Sequence, residues 1–421
     1  MSPHRFPRFS ADGEPVLLPR SEHSISRRQL DQNTLKVLYR LHRHGYLAYL
    51  VGGSVRDLLL GRKPKDFDVG TDATPAQVKK LFRNCFLVGR RFRLAHICFS
   101  RREVVEVATF RRQPGPEELP EDPAEHFNMV QNQFGTPRED AFRRDFTINA
   151  LFYNIADFSI IDHVGGLEDL AARRLRVIGD PVVRYREDPV RMLRALEFQA
   201  RLDFSIDEPA LAAIAACAPL IGEAAPARVR EEILELYRHS VAGPVMRQAQ
   251  ANGLLEPMLG GYRAGENTFV LLDLLDRRTA AGQPVDEAFS MAALFLERFL
   301  QKCPPAADIK IGDALQAANQ LLVPYCNHFR IAHGIRHQAR EILVGCYRLG
   351  RGRGRKGERR FLQHPDAPRA LELLELWVEV AGGDADLVRS WRQALQRREE
   401  APLPQANPKP PPRRRPRRRR R

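Results

Sequence analysis

What this chain lacks narrows its class first. No apolar run approaches the roughly 20 residues needed to cross a bilayer, so no membrane span is expected. Met1–Arg20 has no apolar stretch of the kind that heads a secretory signal, and none is expected to act as one. Six cysteines, Cys85, Cys98, Cys217, Cys303, Cys326 and Cys346, are scattered without a Cys-x-x-Cys pair. That argues against a disulfide framework or a thiolate zinc site and for a reducing, cytoplasmic compartment. No internal repeat is legible. Acid is missing from one region: residues 401–421 hold Lys409 and eight arginines but no Asp or Glu. The net charge is +15, of which nine charges lie in that tail. Its prolines and arginines preclude a fold, and a basic surplus of this kind points to a polyanionic partner. The remainder is ordinary for a globular protein, with 43% hydrophobic and 28% charged residues. The length of 421 residues leaves room for about two to four domains.

What is present is organised around Leu50–Asp72. The apolar run Tyr46–Val51 predicts a buried strand, followed by a Gly-Gly-Ser turn and a short helix, Val55–Leu60. Gly61 ends that helix, and Lys65–Val69 predicts a second strand. Gly52 and Gly53 let backbone N–H groups approach a ligand, and the helix N-terminus behind them favours a phosphate. Asp66 and Asp68, two residues apart on a strand, project from one face. Carboxylates that close repel unless a cation lies between them, and a hard divalent ion such as Mg²⁺ suits the position. Alone, each feature is commonplace: a turn, and a solvated strand end. Together, with Arg56 and Lys65 between them, they describe a metal–triphosphate site.

Around this stretch, Leu30, Leu35, Leu38 and Leu41 predict a helix ended by Gly45, and Thr74-Pro75 opens another that runs to about Phe82. Phe86–Gly89, Ala95–Phe99 and Val104–Phe110 read as strands, giving a small mixed sheet over roughly 46–111. Arg90, Arg91 and Arg93 surround Phe92 in a basic hairpin. Gln113–Asp140 has no periodicity and reads as a surface insertion or a mobile flap. Arg143–Tyr153 is expected to open a helix, with Asp145 and Asn149 on one face. Asp188 precedes Pro189 and is expected to cap a helix whose next turn carries Arg191. As a pair, the Asp188 carboxylate and the Arg191 guanidinium suit an exocyclic amine beside a ring nitrogen. Adenine and cytosine share that edge, so the pair rejects G and U without separating ATP from CTP. Beyond about residue 205 the chain reads all-helical, with stripes such as Val229, Ile233 and Leu236. Arg348–Arg360 is a dense basic run.

Gly52–Gly61 followed by Asp66-x-Asp68 resembles the head motif of the nucleotidyltransferase superfamily, in the bacterial class that holds tRNA nucleotidyltransferases and poly(A) polymerases. Arg143-Arg-Asp-Phe-Thr-Ile-Asn149 resembles that family's second motif, Asp162–Leu170 its third and Arg186–Ala195 its fourth. Val88–His96 and the Arg348–Arg360 run resemble the poly(A) polymerase branch. The resemblance implies an α/β nucleotidyltransferase head, a small mixed sheet with helices, then an all-α neck and body and a disordered basic tail. The corresponding spans are 30–180, 181–270, 271–400 and 401–421, after a loose extension at 1–29. It implies transfer of AMP from ATP to RNA 3′ ends with release of pyrophosphate, in RNA polyadenylation and decay. Two Mg²⁺ ions, replaceable by Mn²⁺, would be bridged by Asp66 and Asp68. Glu106 or Asp145 would complete the metal site. Gly52, Gly53, Ser54 and Arg56 would hold phosphates, with Arg144, Asn149, Asp188, Arg191 and Arg194 also on the nucleotide. Arg90, Arg91, Arg93, Arg353 and Arg355 would contact RNA, and the tail would add phosphate contacts without reading bases. RNA-decay partner proteins are not named by the resemblance. The alternatives are a CCA-adding tRNA nucleotidyltransferase and, from another class, a non-catalytic RNA-binding scaffold.

Overall fold

A computed structural model of the chain describes residues 13–89, 94–100, 103–113 and 133–400. The expected basic hairpin at Arg90, Arg91 and Arg93, most of the expected flap and the 401–421 tail lie outside the described residues. The chain forms two compact units, one of residues 1–263 with 275–284, the other of 264–274 with 285–421.

The first unit is built on an eight-stranded sheet in the order β1-β8-β7-β2-β3-β6-β5-β4. Its strands are β1 Val16–Leu18, β2 Ala48–Val51, β3 Asp68–Thr71, β4 Cys85–Val88, β5 Leu94–Cys98, β6 Val104–Thr109, β7 Leu151–Asn154 and β8 Ile160–Asp162. All neighbours are antiparallel except β3 and β6, which run parallel. The helices α1 Gln32–Arg43, α2 Gly53–Leu59 and α3 Pro75–Leu81 fall where the turn chemistry places them. Asp31 caps α1, and Thr74 with Gln77 forms a capping box at α3. On α1, Thr34, Val37, Leu38 and Leu41 are buried, the helical spacing of one apolar face. Tyr49, Phe110 and Phe152 meet ring to ring beneath the sheet, with centroids 5.6–6.0 Å apart.

Four expectations need correction. The sheet is larger than 46–111, because β7 and β8 extend it on the far side of β2 and the supposedly loose N-terminal stretch supplies β1. The second strand starts at Asp68, so Asp66 lies in the loop before it. Arg143–Tyr153 is not a helix but a 3₁₀ turn at Thr147–Asn149 leading into β7. The Asp145 side chain accepts from the N–H of Phe146 and from Asn149 Nδ2, a local alternative to helical bonding. The Leu-Phe-Tyr that follows is fully buried, a strand signal. Asp188, finally, ends the helix Pro181–Glu187 rather than capping the next one; Pro189 precedes Val190–Leu202. Part of the expected flap is ordered as a helix, Pro137–Phe142, behind a Thr136–Glu139 capping box.

Within this unit Val190–Leu202 packs against Pro226–Arg238 and Ala242–Ala251. The second unit is helical throughout its described residues. There His333–Gly350 packs against Glu287–Lys302, Ile311–His328 and Ala367–Ala381. Among the described residues no helix is long and apolar enough to cross a membrane.

Candidate active site

The Gly-Gly turn joins β2 to α2. Gly52 has φ +70°, a left-handed conformation that favours glycine, and a Cβ there would approach the Arg144 guanidinium to 3.0 Å. Ser54 donates its hydroxyl to the Val51 carbonyl at 2.9 Å. Arg56 is 2% exposed, donates to Asn149 Oδ1 at 2.5 Å and pairs with Asp57 at 2.8 Å. Arg144 is held by Asp140 at 2.9 Å and donates to the Asn149 carbonyl at 3.1 Å.

Asp145 and Glu106, the two candidates for a third metal carboxylate, have opposite surroundings. Asp145 accepts from Phe146 N at 2.8 Å, Asn149 Nδ2 at 3.1 Å and Arg194 Nε at 2.9 Å. Burial alone would push its pKa up, but Arg194 and these hydrogen bonds hold the carboxyl below its ordinary value. Arg194 reaches Glu232 at 3.2 Å as well, and the two acids raise its pKa despite burial. Among the described residues Glu106 has no arginine in hydrogen-bond contact; His96 lies 3.4 Å away. The parallel register pairs Val69 with Val107, so one step back Glu106 stands beside Asp68. The pKa of Asp68 is pushed up to about 6, by burial first and then by the charges of Glu106 and Asp66; Arg144 opposes the shift. Asp66, Asp68 and Glu106 therefore bring like charge together, with Arg144 acting against it.

These groups line a cleft of ≈ 510 Å³ in the first unit. It gathers Gly52, Gly53, Ser54, Arg56, Asp66, Asp68, Arg144, Asp145, Asn149 and Arg194 from the sequence-based expectation. Glu106 opens instead on an adjoining cleft of ≈ 600 Å³ that shares Lys65, Asp66 and Asp68. Asp188 and Arg191 are not among the residues lining either cleft. Asp188 takes a two-pronged pair from Arg228 at 2.9 and 2.8 Å, and Arg191 donates to the Arg184 carbonyl at 3.1 Å. Arg191 still lies 3.9 Å from Asp188.

Sequence reasoning missed Phe198. Its ring is 5% exposed and carries three guanidiniums, Arg56, Arg194 and Arg201, at 5.0, 5.2 and 5.1 Å from its centre. The spacing Arg194, Phe198, Arg201 is one helical face, a signal that was legible. Glu232 and Glu235 come from another helix and could only be found in space. Counting the lining, five Arg and Lys face seven Asp and Glu. A triphosphate would thus enter a cleft that is formally negative unless divalent cations come with it. In the second unit Arg353 donates to Glu358 at 2.9 Å and to the Ser390 carbonyl at 2.9 Å, and stacks 4.6 Å over Trp391. Arg355 is 52% exposed and reaches Asp308 at 3.2 Å. The third motif is architectural: Asp162 accepts four backbone N–H groups, from Val164 to Leu167, at 2.9–3.0 Å.

A small mixed sheet presenting an Asp-x-Asp pair beside a Gly-Gly helix turn is a nucleotidyltransferase head. In fold the chain is similar to the Bacillus stearothermophilus CCA-adding enzyme solved with CTP, with a TM-score of 0.63 and 27% identity over 88% of this chain and 82% of that one. Residues 48–176 match the Poly A polymerase head domain. Residues 203–263 match the "Probable RNA and SrmB- binding site of polymerase A", and 308–421 the "Polymerase A arginine-rich C-terminus". Poly(A) polymerase I of Salmonella typhi is 42% identical over 87% of this chain and 82% of its own length. The CCA-adding enzyme of Bacillus pumilus is 40% identical over 41% of this chain and 42% of its own length. The chain belongs to the bacterial poly(A) polymerase family of nucleotidyltransferases. That family generally uses divalent metal ions. Asp66, Asp68 and Glu106 fit this by donor type and by the like charge they bring together. Among the described residues no three such side chains close into a ready-made metal cage.

Proposed function

We propose that the protein is a template-independent poly(A) polymerase that transfers AMP from ATP to an RNA 3′ end. One observation carries the reading over CCA addition: the likeness to poly(A) polymerase I runs through most of the chain, including the arginine-rich C-terminus. The RNA 3′ oxygen attacks the α-phosphorus of ATP, the bond from that phosphorus to the bridging oxygen breaks, and pyrophosphate leaves. Asp66, Asp68 and Glu106 would hold two Mg²⁺ ions, for which Mn²⁺ could substitute. When bound, the ions neutralise the triphosphate and favour the ionised 3′ oxygen. Asp145 is the less suitable third ligand, since Arg194 and Asn149 already occupy its oxygens. Its role is to fix Arg194 beside the phosphates. The Gly52–Gly53 turn, Ser54, Arg56 and Arg144 surround the triphosphate, and Asn149 holds Arg56 in place.

Asp188 and Arg191 read the base edge, which requires Arg228, 51% exposed, to release the Asp188 carboxylate. Arg191→Ala should then weaken selection of ATP over GTP and UTP more than it weakens RNA affinity. Loss of RNA binding with selectivity intact would place Arg191 elsewhere. Arg90, Arg91, Arg93, Arg355 and the tail supply phosphate contacts. Six free cysteines fit work in a reducing cytoplasm. The function is tested by offering ATP or CTP with either a generic RNA or a tRNA lacking its CCA end. Long A-tracts on generic RNA are expected. A product limited to completed CCA ends would establish the alternative, and no transfer at all would leave an RNA-binding scaffold.

A further inference from the structure

One face of the sheet is open on its outer strands. Pairing places His96 opposite Glu106 and Phe86 opposite His96. Asp68 stands beside Glu106 by the β3–β6 register. A single transverse row, Asp68, Glu106, His96, Phe86, therefore crosses four adjacent strands and ends on β4, the edge of the sheet. The alternate residues Cys85, Ile97 and Val105 are buried on the other face. On the open face Phe86 is 61% exposed, and Val88 and Val104 flank it at 45% and 43%. Large apolar side chains left on an edge strand invite misassociation and need a reason. Here they continue directly from the catalytic carboxylates.

We propose that this face seats the single-stranded 3′ end of the acceptor RNA, with Phe86 as a stacking platform for a base upstream of the terminal nucleotide. The inference rests on the polymerase reading and names the path of its second substrate. Phosphoryl transfer proceeds roughly in line, with attacking and leaving oxygens on opposite sides of phosphorus. The arginines and the Gly-Gly turn lie on one side of Asp66 and Asp68, in the ≈ 510 Å³ cleft, and draw the triphosphate there. The attacking hydroxyl then comes from the other side, where the ≈ 600 Å³ cleft opens at Glu106 and Val104. Glu106 and Val104 belong both to the lining of that cleft and to the open face. Phe86 lies three strand spacings from Asp68, about 14 Å, too far for the reacting nucleotide and suited to one behind it. Stacking on an aromatic ring accepts any base, which an enzyme adding to untemplated ends requires. His96 stands between the platform and Glu106, 3.4 Å from the Glu106 carboxylate.

The test measures KM for a short single-stranded RNA and for ATP separately, on the full chain with Mg²⁺. Phe86→Ala should raise the RNA KM about tenfold and leave the ATP KM unchanged. Phe86→Trp should restore the RNA KM. Leu17→Ala, an equally exposed site on the opposite edge strand, should change neither. A 5-iodouridine placed just upstream of the RNA 3′ terminus should crosslink to the β4 peptide in the wild type and not in Phe86→Ala. An unchanged RNA KM in Phe86→Ala, with wild-type AMP transfer intact, overturns the inference alone. Loss of self-association without a change in RNA KM overturns it in favour of a second copy of the chain on this edge. A wild type that transfers no AMP to RNA overturns the polymerase reading itself.

Discussion

Asp145 and Glu106 make opposite demands on stability and on metal, and two isosteric substitutions separate them. In Asp145→Asn the charge is lost while the shape is kept. Two contacts from Arg194, at 2.8 and 2.9 Å, lose their ionic partner, and an amide N–H now faces either Arg194 or the Asn149 amide donor. Breaking a buried pair from one side costs about 3–5 kcal/mol, and each charge-assisted hydrogen bond about 1.5–3 kcal/mol. Glu232, 3.2 Å from Arg194, recovers part of this, so a loss of about 2–4 kcal/mol is expected. In Glu106→Gln no arginine bond among the described residues is broken, and one of three mutually repelling carboxylates is neutralised. Stability in metal-free buffer should stay within about 0.5 kcal/mol. The pKa of Asp68, raised to about 6 partly by Glu106, should fall. Turnover should drop about 10²–10³-fold, with a higher Mg²⁺ concentration needed for half-maximal rate. Urea unfolding without metal, and Mn²⁺ binding followed by electron paramagnetic resonance, give both readouts without relying on activity. The reasoning fails if Asp145→Asn is as stable as wild type. It fails equally if Asp145→Asn loses metal affinity while Glu106→Gln keeps it.

Two further outcomes follow from the geometry. His163 has a ring nitrogen without a hydrogen-bond partner, and burial, helped by Arg138, lowers its pKa to about 4. The unfolded chain binds that proton near 6.5, so stability should fall as pH drops from 6.5 toward 4, by about 2 kcal/mol at pH 4.5; His163→Gln should lack this component in urea midpoints taken at pH 7.5, 5.5 and 4.5. Arg353→Ala should destabilise the second unit by about 1–3 kcal/mol, since it removes the Glu358, Ser390 and Trp391 contacts, whereas Arg355→Ala should leave thermal unfolding nearly unchanged and lower RNA affinity. Equal effects of the two on unfolding would contradict that division.

Much of the head was legible because its signals are local. Gly-Gly before a helix, Thr-Pro with Gln three residues into the helix, and Asp-x-Asp each act within one turn of chain. The structure bears out the first two at Gly52 and Thr74, and the Asp-x-Asp stretch only from Asp68, where the strand begins. Arg143–Tyr153 misled because an Asp-to-Asn spacing of four residues suits a helix as well as a turn. The choice fell to burial of Leu151, Phe152 and Tyr153 in the sheet, which no local rule reports. Asp188 misled for a similar reason: Pro189 was read as a first helical residue, and Arg228, from a different helix, claims the carboxylate.

By itself the sequence determined the family, the Asp66–Asp68 spacing and the Gly52–Gly53 turn into a helix, because these are contiguous residues whose backbone geometry follows from their own side chains. Tertiary structure alone decided that Glu106 stands beside Asp68 while Asp145 is paired with Arg194. It also gathered Arg56, Arg194 and Arg201 around Phe198, and aligned Phe86 with Asp68 and Glu106. Each of those depends on strand register or helix packing between distant segments, where charge pairing and burial are set by neighbours that the linear chain does not name.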